Sequence, residues 1–169
     1  GAVLNKLNKF DLARDAYEKA VKADPSHVVS HANLAGTLNQ LGPNEEALEC
    51  CQTALRINKE YQPAYFTLGQ IELIRGNYQA SIQALETAIA LAPENVNSYV
   101  ALASAFSNSG QTDKARELLE RARELAPISA SACHRLALWY SESGDLEKSI
   151  SLLHETLNLD PTYALAYYE

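Results

Sequence analysis

An all-α solenoid of antiparallel helix pairs is the fold this 169-residue sequence predicts, and three observations predict it. Glycine recurs at Gly42, Gly76, Gly110 and Gly144, a constant step of 34 residues. Proline keeps that step at Pro93, Pro127 and Pro161, with Pro25 two steps before Pro93 and Lys59 in the place between. Inside each step two stripes of apolar residues fall at the i, i+3, i+4, i+7 spacing of an amphipathic helix, so each period is one helix pair.

The period 96–129 shows the logic. Tyr99, Leu102, Ala103 and Phe106 share one helix face, and Gly110 supplies the left-handed residue that ends the helix. Ala115, Leu118, Leu119, Ala122 and Leu125 form the second stripe, which Pro127 stops because proline cannot continue a helix. Small residues at Ala103, Ala115 and Ala122 let the paired helices approach closely. In chain order, residues 1–27 hold the end of a unit, with Ala20 in the register of Ala54, Ala88 and Ala122. Residues 28–61 pair Leu34, Ala35 and Leu38 with Ala47, Cys51 and Ala54. Residues 62–95 pair Tyr65, Leu68 and Gly69 with Ser81, Leu85 and Ala88. Residues 130–163 pair Leu136, Ala137 and Tyr140 with Ser149, Leu153 and Thr156, and 164–169 begin another first helix.

These positions resemble the tetratricopeptide repeat, whose pattern asks for aromatic, Leu, small and aromatic residues, then Ala, an aromatic, Ala and Pro at set offsets. The resemblance covers residues 1–169 as one array, and it implies a right-handed solenoid with first helices lining a concave face and second helices forming the back. Glu72 in an aromatic place, His31 and Cys133 in the leading aromatic place, and Lys59 in the proline place depart from the pattern. Gly1 matches the eighth position of a unit and 164–169 the first positions of another, so the sequence reads as a fragment of a longer array. Apolar positions such as Leu153, Leu157, Leu165 and Tyr168 would then lack a covering neighbour, and end-to-end self-association is the expectation.

Composition narrows the function. Hydrophobic residues make up 47% and charged residues 21%, the balance of a globular protein, and the net charge of −7 opposes binding to a phosphate backbone. Nucleic acid is therefore not an expected partner. The longest uncharged stretches, 25–44 and 95–112, are studded with Asn, Ser, His and Gly, which predicts no membrane insertion. Three cysteines predict no disulfide framework, and a reducing, cytoplasmic setting is the expectation.

Catalytic chemistry finds no constellation to carry it. Cys50 and Cys51 have no C-x-x-C spacing, and Cys133 beside His134 points about 100° away from it on a helix. His27, His31 and His154 occupy unrelated repeat positions, and no phosphate loop or nucleophile elbow occurs. Neither a catalytic residue, a metal nor a cofactor is expected. Trp139 replaces Thr37, Ile71 and Ala105 of the other units, and it reads either as a local core plug or as a partly exposed anchor for a partner.

Charge counting favours the first helices as the binding face. The segments 28–41, 62–75, 96–109 and 130–143 hold 4 charges in 56 residues, against 29 in 100 for the second helices and their turns. The groove positions that the resemblance implies include Asn33, Phe66, Thr67, Gln70, Ile74, Val100, Ser104, Asn108, His134, Arg135 and Leu138, with Glu142 closing the last unit. Amides, hydroxyls and isolated apolar side chains suit an extended peptide or an amphipathic helix. The family's carboxylate clamp is not matched, because Thr67 or Ala101 stands where a cation belongs, and of its asparagine ladder only Asn33 is present. The expected function is a non-catalytic protein-interaction scaffold. The alternative is the substrate-presenting arm of a larger enzyme resembling an O-GlcNAc transferase.

Overall fold

The computed structural model describes residues 1–42 and 45–167, with the backbone alone for Leu165. Every regular element among the described residues is helical. The helices are α1 (Ala2–Lys6), α2 (Phe10–Ala23), α3 (Val28–Leu41), α4 (Glu45–Ile57), α5 (Gln62–Ile74), α6 (Tyr78–Leu91), α7 (Val96–Asn108), α8 (Thr112–Leu125), α9 (Ala130–Glu142) and α10 (Leu146–Leu159), followed by a 3-10 turn at Ala164–Tyr167. The chain divides into two compact units, Gly1–Ala92 and Pro93–Glu169.

The helix ends obey the residues at them. Asp24, Ala92, Ala126 and Asp160 each precede a proline and take extended backbone with φ near −140°, because the proline ring clashes with an α-helical predecessor. Where Lys59 stands for proline, helix α4 still stops at Ile57: Asn58 Oδ1 accepts the Glu60 backbone N–H at 2.9 Å. Asp24 and Asp160 make the same turn with Ser26 and Thr162, so the side-chain turn supplies what the missing ring does not. At the other ends, Gly76, Gly110 and Gly144 adopt φ of 78°, 81° and 87°. The amides after them reach back to Glu72, Phe106 and Tyr140 carbonyls at 2.9 Å, which closes the last turn of the helix. Asn8, one 34-residue step before Gly42, holds φ 55° and makes the same closure from Lys9 to Leu4. Asparagine tolerates the left-handed region better than other side chains.

In the unit Gly1–Ala92 the core is built from Ala13, Tyr17, Leu34, Ala35, Leu38, Ala47, Cys51 and Ile71, with Ala32, Ala54 and Ala64 beside it. Helices α5 and α6 approach closely: Ser81 Oγ donates to the Gly69 carbonyl at 2.7 Å and a Cβ on Gly69 would collide with Leu85. The unit Pro93–Glu169 buries Leu102, Ala103, Ala105, Phe106, Ala115, Leu119, Ala122, Leu136 and Ala137. There Ser149 Oγ donates to the Ala137 carbonyl at 2.9 Å, twelve residues away as in the first pair. A further tie recurs six residues after three of the prolines: Tyr99 and Tyr167 hydroxyls donate to the Pro93 and Pro161 carbonyls. His31 Nε2 does the same to Pro25 at 3.0 Å, so histidine in the tyrosine place keeps the bond.

Residues 164–167 form a 3-10 turn rather than an α-helix. Leu153 and Leu157 are half-buried, while the Leu165 side chain and Tyr168 and Glu169 lie outside the described residues. No helix among the described residues is long and apolar enough to cross a membrane.

Candidate functional site

In the unit Gly1–Ala92 the sequence-derived groove residues lie on α3 and α5. Asn33, Phe66 and Gln70 are half-buried and Ile74 is 53% exposed. Thr67 is buried, with its Oγ1 4.0 Å from where a Cβ on Gly36 would stand. It lies at the contact between α3 and α5 and offers a ligand little surface. Glu72, buried in an aromatic place, accepts a hydrogen bond from Asn77 Nδ2 at 2.7 Å, which partners the carboxylate that phenylalanine or tyrosine would not need. Arg75 closes an ion pair with Glu45 at 3.0 Å.

Between α2 and α4 lies an acidic recess lined by Glu18, Glu46 and Glu49 beside Cys50 and His31. Burial, and then those three carboxylates, push the Cys50 thiol up to about 11. Burial pushes Cys51 up to about 12. Both effects disfavour the thiolate, the reactive and metal-binding form. Among the described residues no group of three His, Cys, Asp or Glu side chains could hold a metal.

In the unit Pro93–Glu169 the groove residues come together. A cleft of about 200 Å³ is lined by Ala103, Ser104, Ser107 and Asn108 of α7, Ala115 and Leu119 of α8, and Arg135, Leu138, Trp139 and Glu142 of α9. Five residues named from sequence, Ser104, Asn108, Arg135, Leu138 and Glu142, share it. Val100 is half-buried one turn before Ser104 and accepts the Ser104 hydroxyl at 3.0 Å through its carbonyl. Asn108 Nδ2 donates to the Ser104 carbonyl at 2.7 Å, which leaves the Asn108 amide oxygen as an acceptor toward the cleft. His134 is 3% exposed, with its ring 5.1 Å from that of Tyr163, so like Thr67 it offers a ligand little surface.

Trp139 is neither a closed core plug nor a free anchor. Its indole N–H donates to the Thr112 carbonyl at 2.9 Å, the Arg116 guanidinium lies 5.4 Å from its ring centre, and Tyr140 meets it edge-on at 5.1 Å. Held from three sides, the ring forms a fixed wall shared by the cleft and a second recess containing Asp113, Arg116, Tyr140 and Lys148. Arg135 and Glu142 are exposed, and among the described residues neither forms an ion pair or a side-chain hydrogen bond. The intramolecular pair that their seven-residue spacing permits is not made. Ser107 lines the cleft too, and its signal in the sequence is its position one turn from Ser104 on the same face.

Family models described as tetratricopeptide repeat match residues 1–27, 27–94, 72–140 and 132–166. A curated relative, small glutamine-rich tetratricopeptide repeat-containing protein 2 of Mycosarcoma maydis, is 30% identical over 70 residues, 41% of this chain. The chain spans 20% of that relative's length. Among solved structures, MamA is 27% identical with a TM-score of 0.75 over 95% of this chain and 94% of that one. The thermophilic protein TTC0263 of Thermus thermophilus reaches a TM-score of 0.91 over 99% and 92% of the two chains at 21% identity, a likeness of fold.

Proposed function

Because the chain belongs to the tetratricopeptide repeat family, a family of protein-interaction scaffolds, we propose that it works without catalysis by holding a partner's peptide or helix against its first helices. One observation carries the reading: Ser104, Asn108, Arg135 and Leu138, named as lining residues from the repeat register, border one open cleft. The cleft combines what peptide recognition uses, namely amide and hydroxyl groups for a backbone, an apolar floor and a tryptophan wall. In the unit Gly1–Ala92 the accessible set is Asn33, Phe66, Gln70 and Ile74. Affinity capture followed by peptide mapping tests the reading, with Leu138→Asp as the control; a captured partner whose binding Leu138→Asp leaves unchanged refutes the cleft as its site.

The enzyme-arm reading rests on one ladder asparagine, Asn33, and we do not adopt it. We keep residues 1–169 as one array on the strength of the register. End-to-end self-association draws support from exposed apolar residues at α1 (Val3) and just after it (Leu7), and on α10 (Leu146, Ile150). Light scattering that stays monomeric at millimolar concentration would remove it. A cytoplasmic location accords with three free thiols, and fractionation of tagged protein tests it.

A further inference from the structure

The cleft between α7 and α9 presents two opposite charges on one helix face. Arg135 and Glu142 are seven residues apart in α9, which sets their backbone origins about 10 Å apart along the axis on nearly the same side. Both side chains are exposed, both line the cleft, and among the described residues neither is paired. Leu138 lies between them in sequence and Trp139 stands at the wall. Two cations beside Trp139 and Tyr140 are engaged elsewhere: Arg116 pairs with Glu120 at 3.0 Å and Lys148 with Asp145 at 2.8 Å. Across the cleft α7 offers Ser104, Ser107 and Asn108, none of them charged. A ligand entering here meets one cation and one anion, held apart.

We propose that this cleft selects an extended peptide segment bearing one acidic and one basic residue three or four positions apart, with an apolar residue between them. The inference rests on the groove reading and narrows it. An extended chain advances about 3.3 Å per residue, so three or four residues span about 10 to 13 Å, comparable to the rise of about 10 Å between the backbone origins of Arg135 and Glu142. A cleft of about 200 Å³ has room for an apolar side chain between the two charges. The acid faces Arg135, which offers five donors. The base faces Glu142, the apolar side chain rests on Leu138 and Trp139, and a backbone N–H donates to the Asn108 amide oxygen. Opposite charges at the two ends reject segments that carry two acids or two bases, because one of each pair then meets its own sign.

Selection from a random peptide display library on the immobilised full chain tests this, run in parallel on the unaltered protein, Arg135→Glu and Glu142→Arg. The unaltered protein should enrich acid-plus-base peptides, Arg135→Glu peptides with two bases, and Glu142→Arg peptides with two acids. Peptides chosen by the unaltered protein should lose about tenfold in affinity for either variant. Trp139, the single tryptophan, reports occupancy through its emission, and circular dichroism confirms that both surface variants remain folded. Identical enriched sequences on all three proteins, with Trp139 emission still changing, would overturn the charge pairing while leaving the groove in place. No enrichment, or enriched peptides that leave Trp139 emission untouched, would overturn the groove reading and this inference together.

Discussion

The two compact units use one repeat register for opposite ends. In Gly1–Ala92, α5 and α6 press together until Gly69 has no room for a methyl group, Ser81 bonds the Gly69 carbonyl, and Cys51 and Leu85 are fully enclosed. In Pro93–Glu169 the same places carry Ala103 and Ala137, and an open cleft with unpaired charges lies along α7 and α9. The register therefore dictates which residues meet, while the size and charge of each side chain decide whether a meeting becomes a sealed interface or a recess.

Four measurements break or sharpen that contrast. The largest effect concerns the thiols of the first unit. With Cys50 raised to about 11 from an ordinary 9.0, its thiolate is about a hundredfold scarcer than that of a free cysteine at pH 8. Alkylation monitored by mass spectrometry should be slowed to match, and fast labelling of Cys50 would show that the first unit is looser than drawn. The sign for stability follows. Between pH 9 and about 11 the unfolded chain loses these protons while the folded one keeps them, so stability is full below pH 9 and falls as pH rises through that window.

Next comes Gly69→Ala. Overpacking costs about 1–3 kcal/mol, and the gain in helix propensity returns about 1 kcal/mol. Leu85, fully buried, has nowhere to move, so the urea midpoint should drop. In the second unit Arg135→Ala should leave the thermal midpoint nearly unchanged and weaken partner binding by more than about tenfold; an unchanged affinity for a partner seated in the cleft would remove Arg135 from it. Smallest is Gly36→Ala, where only Thr67 Oγ1 lies within reach, at 4.0 Å. Relief of glycine's entropy cost should stabilise by about 0.5–1 kcal/mol, and a loss instead would mean that α3 and α5 pack more closely than their backbones indicate.

Helix starts at 28, 62, 96 and 130 were legible because glycine, proline and apolar stripes repeat at 34. Asn8 was legible in principle, as one more step back along the glycine series, but asparagine does not announce a left-handed backbone as glycine does. The faces were harder. Thr67 and His134 sit one position from Phe66 and Arg135, and at about 100° per residue that distance separates a lining side chain from a packed one. Whether His134 faces solvent depends on Tyr163, 29 residues later, which no local pattern contains. Trp139 shows the same limit: its hydrogen-bond partner is a backbone carbonyl 27 residues earlier, and every residue type carries a carbonyl.

The repeated ties have a kinetic consequence. Ser81 to Gly69 and Ser149 to Ala137 span twelve residues, and Tyr99 to Pro93 and His31 to Pro25 span six. Bonds of such short reach give a low contact order, the property of chains that fold fast, because each closes a small loop and waits for no distant segment. A ribosome emitting this chain would release the pairs 62–95 and 130–163 with a fastening already inside each, so that either can form before the next segment has been synthesised.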